Sequence, residues 1–353
     1  MREYISFDSH KHYTIAERED VETGQARQQR IEHEPGAIRA YLADIEAGTP
    51  VAVEAIGDWY WIADEIEAAG GEPALVHPRK AKLMMGLTNK TDRLDVHGLN
   101  RLQRNRTLPV VWIPPRPLRD QRELTRTRMV LVQMRTRLKN RIQATISKYG
   151  LALKGFSDPY GRRARIELER RVDQLPEHTL YVTRLLLTQL DVLQEQITQL
   201  EARLKSLVKL TAPMQWLMTE PGIGWLLAAV ITWEIGDIRR FPSDAHLTAY
   251  AGTTPRVHSS GGKTRHGALR EDVNQYLKWA FLEAANSIAI NSRHHPDWYV
   301  SCLYGWLRAR RGYQKAVGAV ARHLAQAAFH ILSRQQPYQE RSRSRGGVNA
   351  GLS

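Results

Sequence analysis

The sequence is poor in cysteine and in long apolar runs. Cys302 is the single cysteine among 353 residues, which excludes an intramolecular disulfide framework and a cysteine-rich zinc module. The longest strongly apolar run, Trp225 to Trp233, is far shorter than the roughly 20 residues that a membrane helix needs. The first residues also lack the apolar core of a signal peptide. We therefore expect a soluble, intracellular protein.

Acidic residues are few relative to basic ones. The chain has 51 Lys and Arg against 37 Asp and Glu, a formal net charge of +14, and such an excess favours nucleic acid as a partner. With 42% hydrophobic and 25% charged residues, the composition is that of a globular protein. The length predicts two or three domains.

Residues 1–110 are predicted to form an α/β domain. Apolar and β-branched runs, broken by Gly and Pro, predict the order β-β-β-α-β-α-β-α. The predicted elements are two strands within 3–19, a strand near 25–31, a helix over 36–47, a strand over 50–57, a helix over 59–69 and a strand near 74–77. This is the element order of an RNase H-like (RuvC-like) domain.

Residues 111–210 have a different character. The segment 116–141 carries nine Lys and Arg against two acids, together with an apolar stripe, which predicts a basic amphipathic helix. Further along, six apolar residues repeat at alternating spacings of three and four, which is typical of a coiled-coil seam: Leu190, Leu193, Ile197, Leu200, Leu204 and Leu207. The seam is predicted to pair within the chain, antiparallel to the basic helix, or between protomers.

Residues 211–335 are predicted to be mainly helical. Ser259 to Gly267 (SSGGKTRHG) is expected to be a polar glycine loop, followed by a helical stretch over 270–290 and a last helix over 313–332. The Arg-rich tail, 336–353, is expected to be disordered.

Four carboxylates are candidate metal ligands. Asp8 and Glu54 interrupt apolar strands, where an unpaired carboxylate is costly, and Asp92 and Asp95 are three residues apart on one helix face. Ligands that are all oxygen suit Mg²⁺. Two such ions would activate an attacking oxygen and stabilise a leaving oxygen at a phosphodiester.

These residues stand in segments that resemble a known family. SFDSHK around Asp8, VAVEAIGDWYW around Glu54 and NKTDRLD around Asp92 are similar to the N-terminal DEDD, RuvC-like domain of insertion-sequence transposases related to the Piv-type invertase. PGIGWLLAAVITWEIGDIRRFPS, LTAYAGTTP and HSSGGKTRHG resemble the same family's C-terminal transposase domain. The family is now known as bridge-RNA-guided recombinases.

The resemblance implies a DNA transposase or site-specific recombinase that uses Mg²⁺ and a serine. The family serine precedes a glycine, which maps to Ser260, with Ser259 as its neighbour. The implied partners are donor DNA, target DNA, a structured guide RNA and further copies of the chain, in a dimer or a tetramer. The implied location is the cytoplasm of a prokaryote, at the nucleoid.

Eight basic residues are candidate nucleic-acid contacts: Arg116, Arg119, Arg122, Arg126, Arg256, Lys263, Arg265 and Arg270. The chain departs from the family pattern at Ser9-His10-Lys11, where a valine-serine-lysine run is more usual.

Two other functions are compatible with the residues. The first is a junction nuclease that uses the four carboxylates and water, without a covalent intermediate. The second is a scaffold that binds nucleic acid without catalysis.

Overall fold

The chain forms two compact units, residues 1–114 and 115–353. The structure is a computed structural model that describes residues 3–86, 91–156, 158–208, 210–260, 262–270 and 272–340. The first unit is mixed α/β and the second is mostly helical, which confirms the predicted α/β and helical classes, while the RNase H-like fold stays a prediction. The four-part division of the chain stays a prediction, and the tail beyond residue 340 lies outside the described residues.

The first unit is built on a five-stranded sheet. Its strands are β1 (Glu3–Ser9), β2 (Tyr13–Asp20), β3 (Ala26–Glu32), β4 (Pro50–Glu54) and β5 (Glu72–Val76). Its helices are α1 (Ala37–Tyr41), α2 (Trp59–Ala68), α3 (Pro78–Met85) and α4 (Asp92–Arg104). The strand order is β3-β2-β1-β4-β5; β2 is antiparallel to β1 and β3, whereas β1, β4 and β5 are parallel. The predicted order of elements is confirmed, although α1 ends at Tyr41 rather than near 47.

The sheet is covered on both faces, so apolar side chains of its central strands are buried on either side. Alternate residues such as Phe7 and Val53 pack against α1 and α2, while Ala52 packs against α3 and α4 on the opposite face. The Ser6 hydroxyl, on the α4 face, donates a hydrogen bond to the Val96 carbonyl oxygen at 2.8 Å. This bond fixes α4 over the middle of the sheet.

The second unit is built on nine α-helices, one short 3₁₀ helix (Ile238–Arg240) and one hairpin among the described residues. The helices are α5 (Arg116–Lys148), α6 (Arg162–Val172), α7 (Glu177–Leu207), α8 (Ala212–Leu217), α9 (Trp225–Ile235), α10 (Asp244–Tyr250), α11 (Gln275–Asn291), α12 (Tyr299–Arg311) and α13 (Tyr313–Arg334), and the hairpin strands are β6 (Pro255–Ser260) and β7 (Lys263–Leu269). Helices α8 through α13 share one apolar core, to which the first turns of α5 and the last turns of α7 also contribute. No helix in the described ranges is long and apolar enough to cross a membrane.

Helices α5 and α7 pair side by side in an antiparallel arrangement. Hydrogen bonds join Arg128 to Glu201 (2.6 Å), Arg135 to Gln194 (2.9 Å) and Tyr149 to Thr179 (3.1 Å). As one residue number rises the other falls, so the helices run in opposite directions. Coiled-coil geometry and pairing between protomers stay predictions.

The structure corrects three predictions in the second unit. The expected loop 259–267 falls within the β6–β7 hairpin, because Ser259 pairs with Thr264 and Ser260 with Lys263. The helix expected from 270 begins at Gln275, where the Asn274 side chain accepts hydrogen bonds from two backbone amides of the first turn. Helix α12 was not predicted.

Candidate functional site

Asp8 and Glu54 stand at the carboxyl ends of two adjacent parallel strands. The register pairs Phe7 on β1 with Val53 on β4, so Asp8 and Glu54 are the next residues on their strands. Alternation places them on the face that holds Ser6 and Ala52, which is the face covered by α4. Asp8 is only 8% exposed.

Helix α4 brings a third carboxylate to this end of the sheet. The Thr91 hydroxyl accepts a hydrogen bond from the Leu94 amide and caps the helix. Asp92 and Asp95 therefore lie in the first turn, where the positive end of the helix dipole favours negative charge. The sequence thus sets two acids at the end of α4 that faces the strand termini.

Asp8 and Asp92 come together around His10. The structure groups one possible ligand atom from each of these three residues, all within 4.8 Å of one another. The Nε2 atom of His10 lies 3.4 Å from Asp8 Oδ2 and 3.2 Å from Asp92 Oδ2. Among the described residues, Glu54 and Asp95 are not part of this group, and their place in the site stays a prediction. Two carboxylates and an imidazole nitrogen are a donor set that fits a divalent cation.

Tyr13 completes the surroundings of Asp92. Its hydroxyl donates a hydrogen bond to Asp92 Oδ2 at 3.2 Å. Partial desolvation, and then the bond to Asp92, raise the pKa of Tyr13 above 10.0, so the hydroxyl keeps its proton at neutral pH. The Arg30 guanidinium lies 3.7 Å from the centre of the Tyr13 ring. The sequence analysis noted His10 only as a departure from a motif and did not select Tyr13.

His10 had a usable signal in the sequence. It follows a candidate ligand, Asp8, by two residues at the end of a strand, a position from which a side chain returns to the same edge of the sheet.

The predicted nucleophile, Ser260, is the last residue of β6. It pairs with Lys263 across the turn, where Gly262 has a φ of 76° that favours glycine. Ser259 and Ser260 are both exposed and, as strand neighbours, point to opposite faces of the hairpin. Arg265 pairs with position 258, two residues before Ser260, so Arg265 and Ser260 share a face.

The carboxylates belong to the first unit and the serine hairpin to the second. The expectation that they meet in one site stays a prediction.

Two of the arginines predicted to contact nucleic acid are buried. Arg119 and Arg122 are each 4% exposed, and Arg122 donates to the backbone oxygens of Trp233 (2.8 Å) and Glu234 (3.0 Å). Arg126 binds the fully buried Glu234 carboxylate through two hydrogen bonds of 2.8 and 3.0 Å. Arg122 and Arg126 thus join α5 to α9.

The other predicted contacts remain at the surface as far as their side chains are described. Arg116, Arg256 and Arg265 are exposed, and Arg270 is part-buried with an ion pair to Asp272 at 3.1 Å. The Lys263 side chain lies outside what the structure describes. Arg265 combines exposure with the face of Ser260.

Two transposase families match this chain. Residues 7–150 match the DEDD transposase family of the IS110 group, and residues 214–299 match the transposase IS116/IS110/IS902 family. The chain is 27% identical over 311 residues to a protein named probable family 20 transposase of Pseudomonas aeruginosa, covering 85% of this chain and 89% of that protein.

Two further relatives carry insertion-sequence names. The transposase for insertion sequence element IS1111A of Coxiella burnetii is 27% identical over 303 residues, or 84% of this chain and 81% of its own length. The transposase for insertion sequence element IS1328 of Yersinia enterocolitica is 28% identical over 242 residues, or 67% of this chain and 69% of its own length.

Proposed function

Because the chain belongs to the IS116/IS110/IS902 family of transposases, we propose that it cuts and rejoins DNA through a covalent phosphoserine intermediate. As a transposase it is an enzyme that acts on DNA in the recombination of a mobile element, and its DEDD domain implies a divalent metal. The observation that carries the proposal is the convergence of Asp8 and Asp92 at the carboxyl end of β1.

The first unit is proposed to be an RNase H-like, metal-binding domain. The strand order β3-β2-β1-β4-β5, with an antiparallel edge and a parallel centre, supports that fold. We assign Mg²⁺ to Asp8, Glu54, Asp92 and Asp95, since carboxylate oxygens are the ligands this ion prefers. When bound, the ion supplies Lewis-acid stabilisation of charge on phosphate oxygens. The protein's own part is to hold these carboxylates at a strand end under the α4 N-terminus.

Ser260 is proposed as the nucleophile. Its Oγ attacks the phosphorus of a DNA strand, a P–Oγ bond forms, and the bond from phosphorus to a deoxyribose oxygen breaks as that oxygen takes a proton. The reverse attack by a deoxyribose hydroxyl on another strand releases the serine and rejoins DNA. The adjacent Gly262 allows the backbone to approach DNA closely, and the exposed Arg265 on the same face supports binding of the phosphate.

The decisive experiment is a strand-transfer assay with trapping of protein-linked DNA. Wild type is expected to yield a denaturation-resistant protein–DNA adduct with Mg²⁺. Ser260→Ala is expected to lose both the adduct and transfer, whereas Ser259→Ala, on the opposite face, keeps them. Cleavage retained in Ser260→Ala, with no adduct in either form, would instead identify a junction nuclease that uses water.

The metal site is tested separately in the same assay. Asp8→Asn and Asp92→Asn are each expected to lower cleavage by at least about 100-fold, because each removes a charged ligand. Unchanged cleavage in the double variant would contradict a catalytic role for these carboxylates.

We also propose a structured guide RNA and a homo-oligomer as partners. The net charge of +14 supports a large bound polyanion, and sequencing the nucleic acid that copurifies with the protein tests its identity. One defined transcript is the expected result, while random fragments contradict RNA guidance. Light scattering of the complex is expected to give a dimer or a tetramer.

A further inference from the structure

His10 occupies the space between the two closest carboxylates of the metal site. Its Nε2 atom faces Asp8 Oδ2 at 3.4 Å and Asp92 Oδ2 at 3.2 Å. The ring is one-third exposed, yet Nε2 itself is shielded from solvent and has no partner in hydrogen-bonding geometry. A buried polar atom without such a partner is costly, and here it points at two anionic oxygens.

The spacing of the three atoms fits the corners of an octahedral metal site. With metal–ligand bonds of about 2.1 to 2.3 Å, neighbouring ligands are about 3.0 to 3.3 Å apart and opposite ligands about 4.2 to 4.6 Å apart. The two nitrogen–oxygen distances are close to the first range, and all three atoms lie within 4.8 Å of one another. A cation is therefore accommodated with only small side-chain movements.

The position of His10 is fixed by the turn that joins β1 to β2. The His10 amide donates to the Tyr13 carbonyl oxygen at 2.8 Å, and the two rings pack with centroids 4.7 Å apart. Tyr13 in turn donates to Asp92. The turn that follows Asp8 thus also orients the imidazole. Because the ring is already held in place, it loses little rotamer freedom when it binds a metal.

We propose that His10 is a direct nitrogen ligand of the divalent metal held by Asp8 and Asp92, and that it makes the site favour Mn²⁺ over Mg²⁺. The inference rests on the metal site of the proposed function. Mg²⁺ takes oxygen ligands almost exclusively, whereas imidazole is a good ligand for first-row transition ions. A site with two carboxylates and one imidazole therefore gains more affinity for Mn²⁺ than for Mg²⁺.

Mn²⁺ alone is the probe, because it is paramagnetic and replaces Mg²⁺ in oxygen-rich sites. We would titrate the full chain with Mn²⁺ by electron paramagnetic resonance and record electron spin echo modulation from a coordinated ¹⁴N nucleus. Wild type is expected to show the nitrogen coupling. His10→Ala is expected to lose it and to bind Mn²⁺ at least about tenfold more weakly, with its Mg²⁺ affinity changed less than about threefold.

His12→Ala is the matched control. His12 is exposed two residues further along the same turn, so its loss is expected to leave the nitrogen coupling and the Mn²⁺ affinity unchanged. Labelling wild type with ¹⁵N-histidine provides a measurement that needs no variant, since the modulation must then change from the ¹⁴N to the ¹⁵N pattern.

The outcomes separate this inference from the proposed function. Mn²⁺ bound by wild type without nitrogen coupling, or coupling that persists in His10→Ala, overturns His10 as a ligand and leaves the carboxylate site standing. Mn²⁺ binding that is absent, or unaffected by Asp8→Asn and Asp92→Asn, overturns the metal site of the proposed function as well.

Discussion

Glu234 is the buried anion on which the contact between α5 and α9 depends, and its replacement by Gln is a sharp test. Its carboxylate is fully buried and accepts hydrogen bonds from Arg126 at 2.8 and 3.0 Å and from Asn274 at 2.8 Å. Burial lowers the pKa of Arg122, and the nearby Glu234 charge opposes that shift. Glu234→Gln keeps the volume but leaves two arginines facing a neutral amide.

The expected cost follows from the burial of each group. Removing one partner of a buried ion pair costs about 3 to 5 kcal/mol, because the remaining charge stays desolvated. Arg126 is 21% exposed and regains some water, so the lower end, about 3 kcal/mol, is expected. For a unit of this size, that loss lowers the melting temperature by roughly 6 to 12 °C.

Calorimetry and urea unfolding of the full chain measure this effect. Glu201→Gln is the control, because Glu201 also pairs with an α5 arginine, Arg128, but is 33% exposed; its loss is expected to cost at most about 1 kcal/mol. Replacing both Glu234 and Arg126 with Met is expected to recover part of the loss. If Glu234→Gln costs no more than Glu201→Gln, the reasoning about a buried charge network is refuted.

Three further outcomes are expected. Burial raises the pKa of Glu220 well above 4.5, so the folded state holds this proton more tightly than the unfolded chain. The contribution of this group to stability is therefore lost as the pH rises above about 4.5. Urea unfolding at pH 5 and pH 8 is expected to show a smaller fall, or a larger rise, in stability for Glu220→Gln than for wild type. Arg265→Gln is expected to weaken DNA binding and to reduce the salt dependence by about one ion, whereas Arg119→Gln, at a buried position, is expected to lower stability instead. Chelation of divalent ions is expected to stop strand transfer, and added Mg²⁺ to restore it; transfer that persists in a chelator contradicts the metal site.

The order of elements in the first unit was predictable because its signals are local. Short β-branched runs such as 50–54 lie between Gly and Pro residues, and each strand and helix carries its own apolar period. The hairpin at Ser260 was missed for the same reason. Its strands are mostly polar in sequence, so neither alternation nor hydrophobicity distinguishes them from a loop.

Contacts between distant residues were beyond local patterns. The nine cations of 116–141 suggested one exposed basic face, but Arg122 finds its acceptors more than 100 residues later at Trp233 and Glu234. A count of charges does not reveal a buried partner. The proximity of Asp8 to Asp92 was expected from the resemblance to a family, whereas the part played by His10 depends on the turn after β1 and is apparent only from its geometry.

The antiparallel pairing of α5 and α7 determines how insertions would change the length of this helix pair. Helix α5 begins near Leu118 and α7 ends near Leu204, and both residues belong to the same apolar core. At the opposite end of the helix pair, α5 and α7 form a separate small core with α6. Seven residues added to each helix would lengthen the pair by about 10 Å and leave both anchors in place. Equal insertions in the two helices are therefore expected to change the reach of this segment without rebuilding the core.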